Sequence, residues 1–527
     1  MRNVWRDVRF AARMLGKAPG FTAVAVITLG LGIGANTAIF SVVNAILLKP
    51  LPYAHDEQII YVTQTQKNPP ITGVPVSFTK YEEMRKQSQT LESVAAAYPV
   101  TLSLVTQQEP EAVYGMRATQ DFFGVLGVSP ARGRTFDAAE ETLGGPDVAV
   151  ISDGFWHSHF GAEETAIGRT ATLDGRNVTV VGILPASFKF PLQYPEPDVW
   201  LPRVDENATL LPQQIHSGAG YLGVIGKLRA GSTLAQAQAE FKSIDARYHA
   251  QFGNYVDATK LELAAATMKD SLVSGLRASL LVLLAAIGFV LLIACVNVAN
   301  LLMARATARE KEIAIRKALG ASKWRLVSQL LIESLLLSFA GGVAGVLLAE
   351  TLLPLLRTIQ PATFPRAGEA SLDPGVLLFT VALCIVTGLI FGIVPSLQAA
   401  DSGLQASLKE GGRGSSVGGS SVRVRSLLVV GEIAVALVLI TGAGLLMASF
   451  AKLMEVNPGF VSKNVTTFPL TLPPTRYAEK PQQAQFFRQL VEKTTTIPGG
   501  AVGSGNELPA VGRTVAHRFF LRGRANV

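Results

Sequence analysis

A chain of 527 residues, 49% hydrophobic and only 16% charged, is too long for one ordinary core and too apolar for a typical soluble enzyme. Its formal net charge of +8 does not indicate a nucleic-acid groove, because the basic residues are concentrated. Residues 1–17, 305–325 and 401–425 hold 16 Lys and Arg against 5 acids, whereas the remainder holds 31 against 34, the distribution expected of cytoplasmic flanks in a membrane protein.

Residues 1–20 read as an amphipathic helix at the cytoplasmic face. Arg2, Arg6, Arg9, Arg13 and Lys17 occupy one side, and Trp5, Val8, Ala12 and Leu15 the opposing stripe. Residues 18–48 carry no charge, so a first span is placed at 21–48, with length to spare for tilt. A cleaved leader has a shorter apolar core and fits less well. Gly30, Gly32 and Gly34 resemble a dinucleotide fingerprint only superficially, since no strand precedes them. Gly30 and Gly34, and likewise Gly341 and Gly345 in a later span, have the four-residue spacing that lets helices pack closely.

Residues 49–277 read as a folded α/β ectodomain. Strands are expected over 57–65, 111–117 and 148–152, a hairpin over 171–184 around Asp174-Gly175, and helices over 77–87, 120–126 and 233–252. His157 and His159 are too few to hold a metal without further ligands, so no metal site is assigned. Spans follow at 278–304, about 326–356, 374–400 and 426–451, and a Gly/Ser-rich linker occupies 401–425. Glu333 and Glu432 are intramembrane acids near basic inner flanks, open to proton coupling or, more simply, to pairing with a Lys or Arg of an adjacent helix. Cys295 and Cys384 lie in apolar runs and read as buried thiols. With the basic segments inside, the N-terminus is cytoplasmic and the ectodomain and the tail are outside.

The segment 305–325 is the most basic of these inner flanks. Glu312 and Arg316 are spaced for a helical ion pair, Gly320 can close that helix, and Ser322 can cap the next. Pattern alone leaves two readings open, a topology anchor and a docking element for a cytoplasmic partner.

The run Glu-Lys-Glu-Ile-Ala-Ile-Arg-Lys-Ala-Leu-Gly-Ala-Ser-Lys-Trp-Arg (310–325) with its flanking spans resembles the FtsX-like permease domain. Residues 20–40 resemble the opening of MacB-like permeases, and 168–185 with Asp-Val-Trp-Leu-Pro (198–202) resemble the MacB-like periplasmic core. Asn-Pro-Gly-Phe (457–460), Leu-Pro-Pro-Thr-Arg-Tyr (472–477) and a helix near 481–496 look like the start of a second copy, as in duplicated orphan permeases. On that reading 278–400 is the FtsX-like domain, and 452–527 opens a second ectodomain that is incomplete, three spans short of the repeat.

The resemblance implies an α-helical integral membrane protein of about five spans with a large α/β extracytoplasmic domain, in a bacterial inner membrane. It also implies an ABC-type permease subunit without its own motor. The sequence contains no Gly-x-x-x-x-Gly-Lys-Ser/Thr loop: Gly226-Lys227 is followed by Leu228 and has Tyr221 where the first glycine belongs. A separate cytoplasmic ABC ATPase would dock on the coupling helix through Arg309, Glu310, Glu312, Arg316, Lys317, Gly320 and Ser322. The further partners implied are the lipid bilayer, a second copy or a pseudo-dimer of halves, and an envelope or outer-membrane protein. No cofactor, catalytic set or nucleic acid is expected. The alternative function is a non-transporting regulator whose ectodomain controls an envelope enzyme.

Overall fold

The structure, a computed structural model, describes every residue except 1, 67–68, 106–109, 191–194, 208–209, 211, 257–260, 309–314, 316–321, 360–365, 402–418, 457–464, 471–476, 478–479, 496–499, 504–516 and 524–527. The chain forms two compact units, Met1–Lys49 with Gly275–Asn457, and Pro50–Ser274 with Pro458–Val527.

The first unit is helical. It contains α1 (Arg2–Gly16) and α2 (Pro19–Val43), the latter extended by a π-helical turn, Asn44–Leu48. Five helices among the described residues are long and apolar enough to cross a membrane: Pro19–Leu48, Arg277–Arg305, Trp324–Leu356, Pro374–Ile393 and Ser426–Glu455. Glu333 and Glu350 do not interrupt the third, which lies within one helix from Lys323 to Ile359. Pro19 sits in the first turn of α2, where its missing N–H costs nothing.

The second unit carries β1 (Ile59–Gln66), β2 (Ile71–Val74), β3 (Val76–Ser77), β4 (Leu91–Leu104), β5 (Glu111–Ala118), β6 (Arg132–Gly133), β7 (Val148–Ile151), β8 (Thr170–Leu173), β9 (Arg176–Ile183), β10 (Val199–Leu201), β11 (Gly220–Leu228) and β12 (Glu262–Thr267). Its helices are α3 (Phe78–Gln87), α4 (Phe122–Val125), α5 (Ala138–Glu141), α6 (Asp153–Phe160), α7 (Pro212–His216), α8 (Leu234–Val256) and α9 (Met268–Val273). The sheet runs β12-β1-β11-β4-β5-β10-β7-β9-β6, and β8 pairs with both β9 and β4. That double pairing, with Leu104 opposite Leu173, closes β4, β5, β10, β7, β9 and β8 into a ring. One face of these strands packs Leu102, Val113, Ile151, Val178, Val180, Val199 and Leu201 into one core with Phe155 and Trp156 of α6.

Strand alternation sorts the remaining core. Ile60, Val62, Leu222 and Val224 face α3 and α8, where Tyr81, Met84, Phe241 and Ile244 meet them. Ile59 and Ile225 point the other way, toward Phe122, Phe123, Phe190 and Trp200. The β8–β9 turn has Asp174 and Gly175 at φ 50° and 78°, a backbone that Asp-Gly adopts readily, and the Asp174 carboxylate accepts the Ser103 amide at 2.8 Å. His157 and His159 are engaged locally. His157 Nδ1 lies 2.8 Å from the Asp153 carbonyl, and His159 Nε2 lies 3.1 Å from Glu111. Gly226 and Lys227 lie within β11, and Lys227 Nζ donates to Glu92 at 3.1 Å, which is not the geometry of a phosphate loop. In the tail, β13 (Val465–Leu470), β14 (Gly500–Gly503) and β15 (His517–Gly523) form an antiparallel sheet ordered β13-β15-β14.

Candidate coupling site at the inner ends of the spans

The remaining helices of the first unit are α10 (Arg277–Ala308), α11 (Lys323–Ile359), α12 (Pro374–Asp401) and α13 (Gly419–Glu455). Helices α2 and α11 approach backbone to backbone. A Cβ at Gly34 would lie 2.8 Å from the Gly345 carbonyl oxygen, and one at Gly341 would lie 2.6 Å from Leu29 Cβ. A Cβ at Gly30 would meet Ala344 at 3.2 Å. Gly30, Gly34, Gly341 and Gly345 therefore sit in one seam, close enough that dispersion between backbones replaces side-chain interlocking. Polar side chains stitch the bundle interior. Asn36 Nδ2 donates to the Ile287 carbonyl at 3.1 Å, Thr37 and Thr380 hydroxyls meet at 3.0 Å, and Ser338 meets Thr387 at 2.7 Å.

The ends of the spans beside the basic segment converge on Arg305, in the last turn of α10. Its guanidinium pairs with Glu333 of α11 at 3.1 Å, donates to the Met14 carbonyl of α1 at 2.8 Å, and lies 4.7 Å from the Phe21 ring centre of α2. Glu333 is 4% exposed. One cation thus joins four helices at the start of the basic segment. At the far end, Arg325 pairs with Asp7 of α1 at 2.7 Å, and the Ser322 hydroxyl accepts the Arg325 amide at 3.3 Å, an N-cap for α11.

Of the other predicted docking residues, Arg309, Glu310, Glu312, Arg316, Lys317 and Gly320 lie outside the described residues. Glu432 is half-buried on α13 and makes no ion pair or hydrogen bond among the described residues. Of the stripe expected on α1, Leu15 is buried and Val8 half-buried, whereas Trp5 is 66% exposed and Ala12 is exposed; Asp7 and Ala11 share the buried face with Leu15.

A second polar cluster holds the C-terminal end of α2. Lys49 Nζ lies 3.0 Å from Asp373, Asn44 Nδ2 donates to the same carboxylate at 2.9 Å, and Arg366 donates to the Lys49 carbonyl at 3.1 Å. Burial opposes the Asp373 carboxylate, but the Val376 amide and Lys49 hold it below the usual carboxylate range. Sequence reasoning missed Asp7 and Asp373. For Asp7 a signal existed, since it is the lone acid among the five bases of residues 1–17. For Asp373 none did, because its partners are more than 300 positions away.

Residues 22–244 match the family model of the MacB-like periplasmic core domain, and residues 284–403 that of the FtsX-like permease C-terminal domain. The macrolide export ATP-binding/permease protein MacB of Sodalis glossinidius is 26% identical over 53% of this chain and 41% of that protein. Its counterpart in Wolinella succinogenes is 24% identical over 76% of this chain and 57% of that protein. An ABC transporter permease of Bacillus subtilis, YvrN, is 37% identical over 20% of this chain and 24% of that protein. The periplasmic region of MacB from Actinobacillus actinomycetemcomitans aligns with 13% identity over 45% of this chain and 95% of that chain, with a TM-score of 0.31. The chain spans under two thirds of the length of these full-length relatives. Two family models in this order, on apolar helices interrupted by a mixed α/β domain, identify a membrane protein with an extracytoplasmic domain that belongs to the MacB/FtsX-like ABC transporter permeases.

Proposed function

We propose that this chain is a permease subunit that converts ATP hydrolysis by a separate cytoplasmic ABC ATPase into motion of its extracytoplasmic domain, for export of a molecule captured outside the membrane. The ATPase docks on 305–325, and the N-terminus lies on the same side. The observation that carries the reading is the joining of four helices by Arg305 at the start of that segment. A force applied there reaches α1, α2, α10 and α11 through contacts at 2.8–4.7 Å. Of these, α2 leads into the extracytoplasmic domain in sequence and α10 leads out of it. The relatives named as export proteins support the transport side of the reading.

The test is capture of candidate ATPase subunits by the detergent-solubilised chain, wild type against Glu312→Arg/Arg316→Glu. Reversing both charges keeps opposite signs four positions apart but inverts what a partner meets, so retention of the ATPase is expected to fall by about tenfold or more, as loss of one to two charge contacts implies. Equal retention by both chains refutes docking at this segment. Capture of an envelope hydrolase with no ATPase supports the regulatory alternative instead.

A further inference from the structure

Both roots of the basic segment are fastened to one short helix. Arg305 donates to the Met14 carbonyl at 2.8 Å, and Arg325 pairs with Asp7 at 2.7 Å. The Asp7 side chain is 10% exposed and that of Arg325 is 42% exposed. A pair so open on one side adds little net stability, while burying the acid carries a desolvation cost. What such a pair does supply is geometry, one fixed register between α1 and the first turn of α11. The joint between α1 and α2 is stitched as well: the Thr22 hydroxyl lies 2.8 Å from the Leu15 carbonyl and 3.0 Å from that of Ala18, and the Ala18 amide donates to Leu15 at 3.1 Å.

We propose that α1 is a working part of the coupling apparatus, with Asp7 as a positioning residue. Asp7 and the Met14 carbonyl hold the two roots of 305–325 at a fixed separation along α1. Displacement of the segment then moves α1 as a unit, and the stitched joint at Leu15–Thr22 passes that displacement to α2. The inference rests on the docking reading and adds to it a route from the two roots of the segment through α1 to α2.

The experiment uses the full chain in lipid nanodiscs, as wild type, Asp7→Arg, Arg325→Asp and the exchanged pair Asp7→Arg/Arg325→Asp. Asp7→Asn, nearly isosteric, guards against misfolding of the reversed-charge chains. Amide hydrogen exchange is followed in α1, in the first turns of α11 and in β1 and β12. It is measured with and without ATP, in the presence of the ATPase that wild type retains. Single variants are expected to speed exchange in α1 and at the start of α11 by about tenfold, as local opening becomes easier. Asp7→Arg and Asp7→Asn, which lie outside the docking segment, should keep the ATPase bound but lose the ATP-dependent change in β1 and β12, and the exchanged pair should recover that change. A purely structural role would not move the ATP-dependent signal. Unchanged exchange in α1, or an ATP response that persists in every single variant, overturns the proposal alone. Failure of wild type to retain any ATPase removes the docking reading and this proposal together.

Discussion

Replacing Lys80 with methionine is expected to destabilise the extracytoplasmic unit by about 3–5 kcal/mol, the cost of leaving a buried acid unpaired. Lys80 on α3 is 1% exposed and lies 3.3 Å from Asp245 on α8, itself 5% exposed. The ammonium also donates to the Leu261 carbonyl and sits 5.3 Å from the Tyr248 ring centre, while Asp245 accepts the Leu263 amide at 2.6 Å. One pair thus ties α3, α8 and the approach to β12. Burial pushes the Asp245 carboxyl above its usual range, and Lys80 is the main influence pulling it back. Without Lys80 it rises further. A folded-state pKa raised above the unfolded value gives stability that is present below the unfolded pKa and lost as pH rises through the folded one. The deficit of Lys80→Met is therefore largest at neutral pH and shrinks as pH falls, vanishing only below about pH 4, where the acid is protonated in both states. Removing both charges, as Lys80→Met/Asp245→Leu, should restore stability to within about 1 kcal/mol of wild type or better. Amide protection in α8 and β12 of the full chain, read across pH, checks both the size and the sign.

The second large effect is expected at Arg305. Alanine there removes the Arg305 cation from Glu333, 4% exposed, strips a donor from the Met14 carbonyl and uncovers the Phe21 ring. Taking one cation from a carboxylate buried among packed helices is costly, and a local loss of about 2–3 kcal/mol is expected. It should appear as faster exchange at the C-terminal end of α1 and around Glu333, with the seam at Gly34 and Gly345 unaffected. Arg305→Ala/Glu333→Leu should recover most of the loss, because the charge that needed a partner is gone. Recovery separates a pairing role from a packing role, since the truncation itself remains in the double variant.

Much of this architecture is legible in the sequence where one physical rule dominates. Uncharged runs locate the spans because a bilayer tolerates few charges, and Asp174-Gly175 locates a hairpin because its backbone needs positive φ. Strands β4 and β11 escape the same reading for opposite reasons. In β4, alanines and Pro99 weaken the pattern, although Pro99 is accommodated opposite Met116. In β11, Gly220, Gly223 and Gly226 look like turn residues, yet all three lie within the strand, and Gly220 is needed for close approach. A Cβ at Gly220 would lie 2.4 Å from the Pro75 carbonyl oxygen. The coupling site is legible only in outline. Glu333 near a basic flank suggests a cationic partner, but which cation it meets depends on how helices pack, and local periodicity carries no such information. Asp7 is harder still, because an acid on a basic amphipathic helix reads as solvated until its partner 318 residues away is placed beside it.

Energy from a cytoplasmic ATPase must enter on one side of the membrane and act on the other. The most direct test is labelling of single cysteines at Ser415 and His157 by an impermeant thiol reagent in intact cells, in a chain lacking Cys295 and Cys384. Labelling at His157 and none at Ser415 is the expected result. Labelling at Ser415 without labelling at His157 would contradict it, because 305–325 would then face away from any cytoplasmic ATPase.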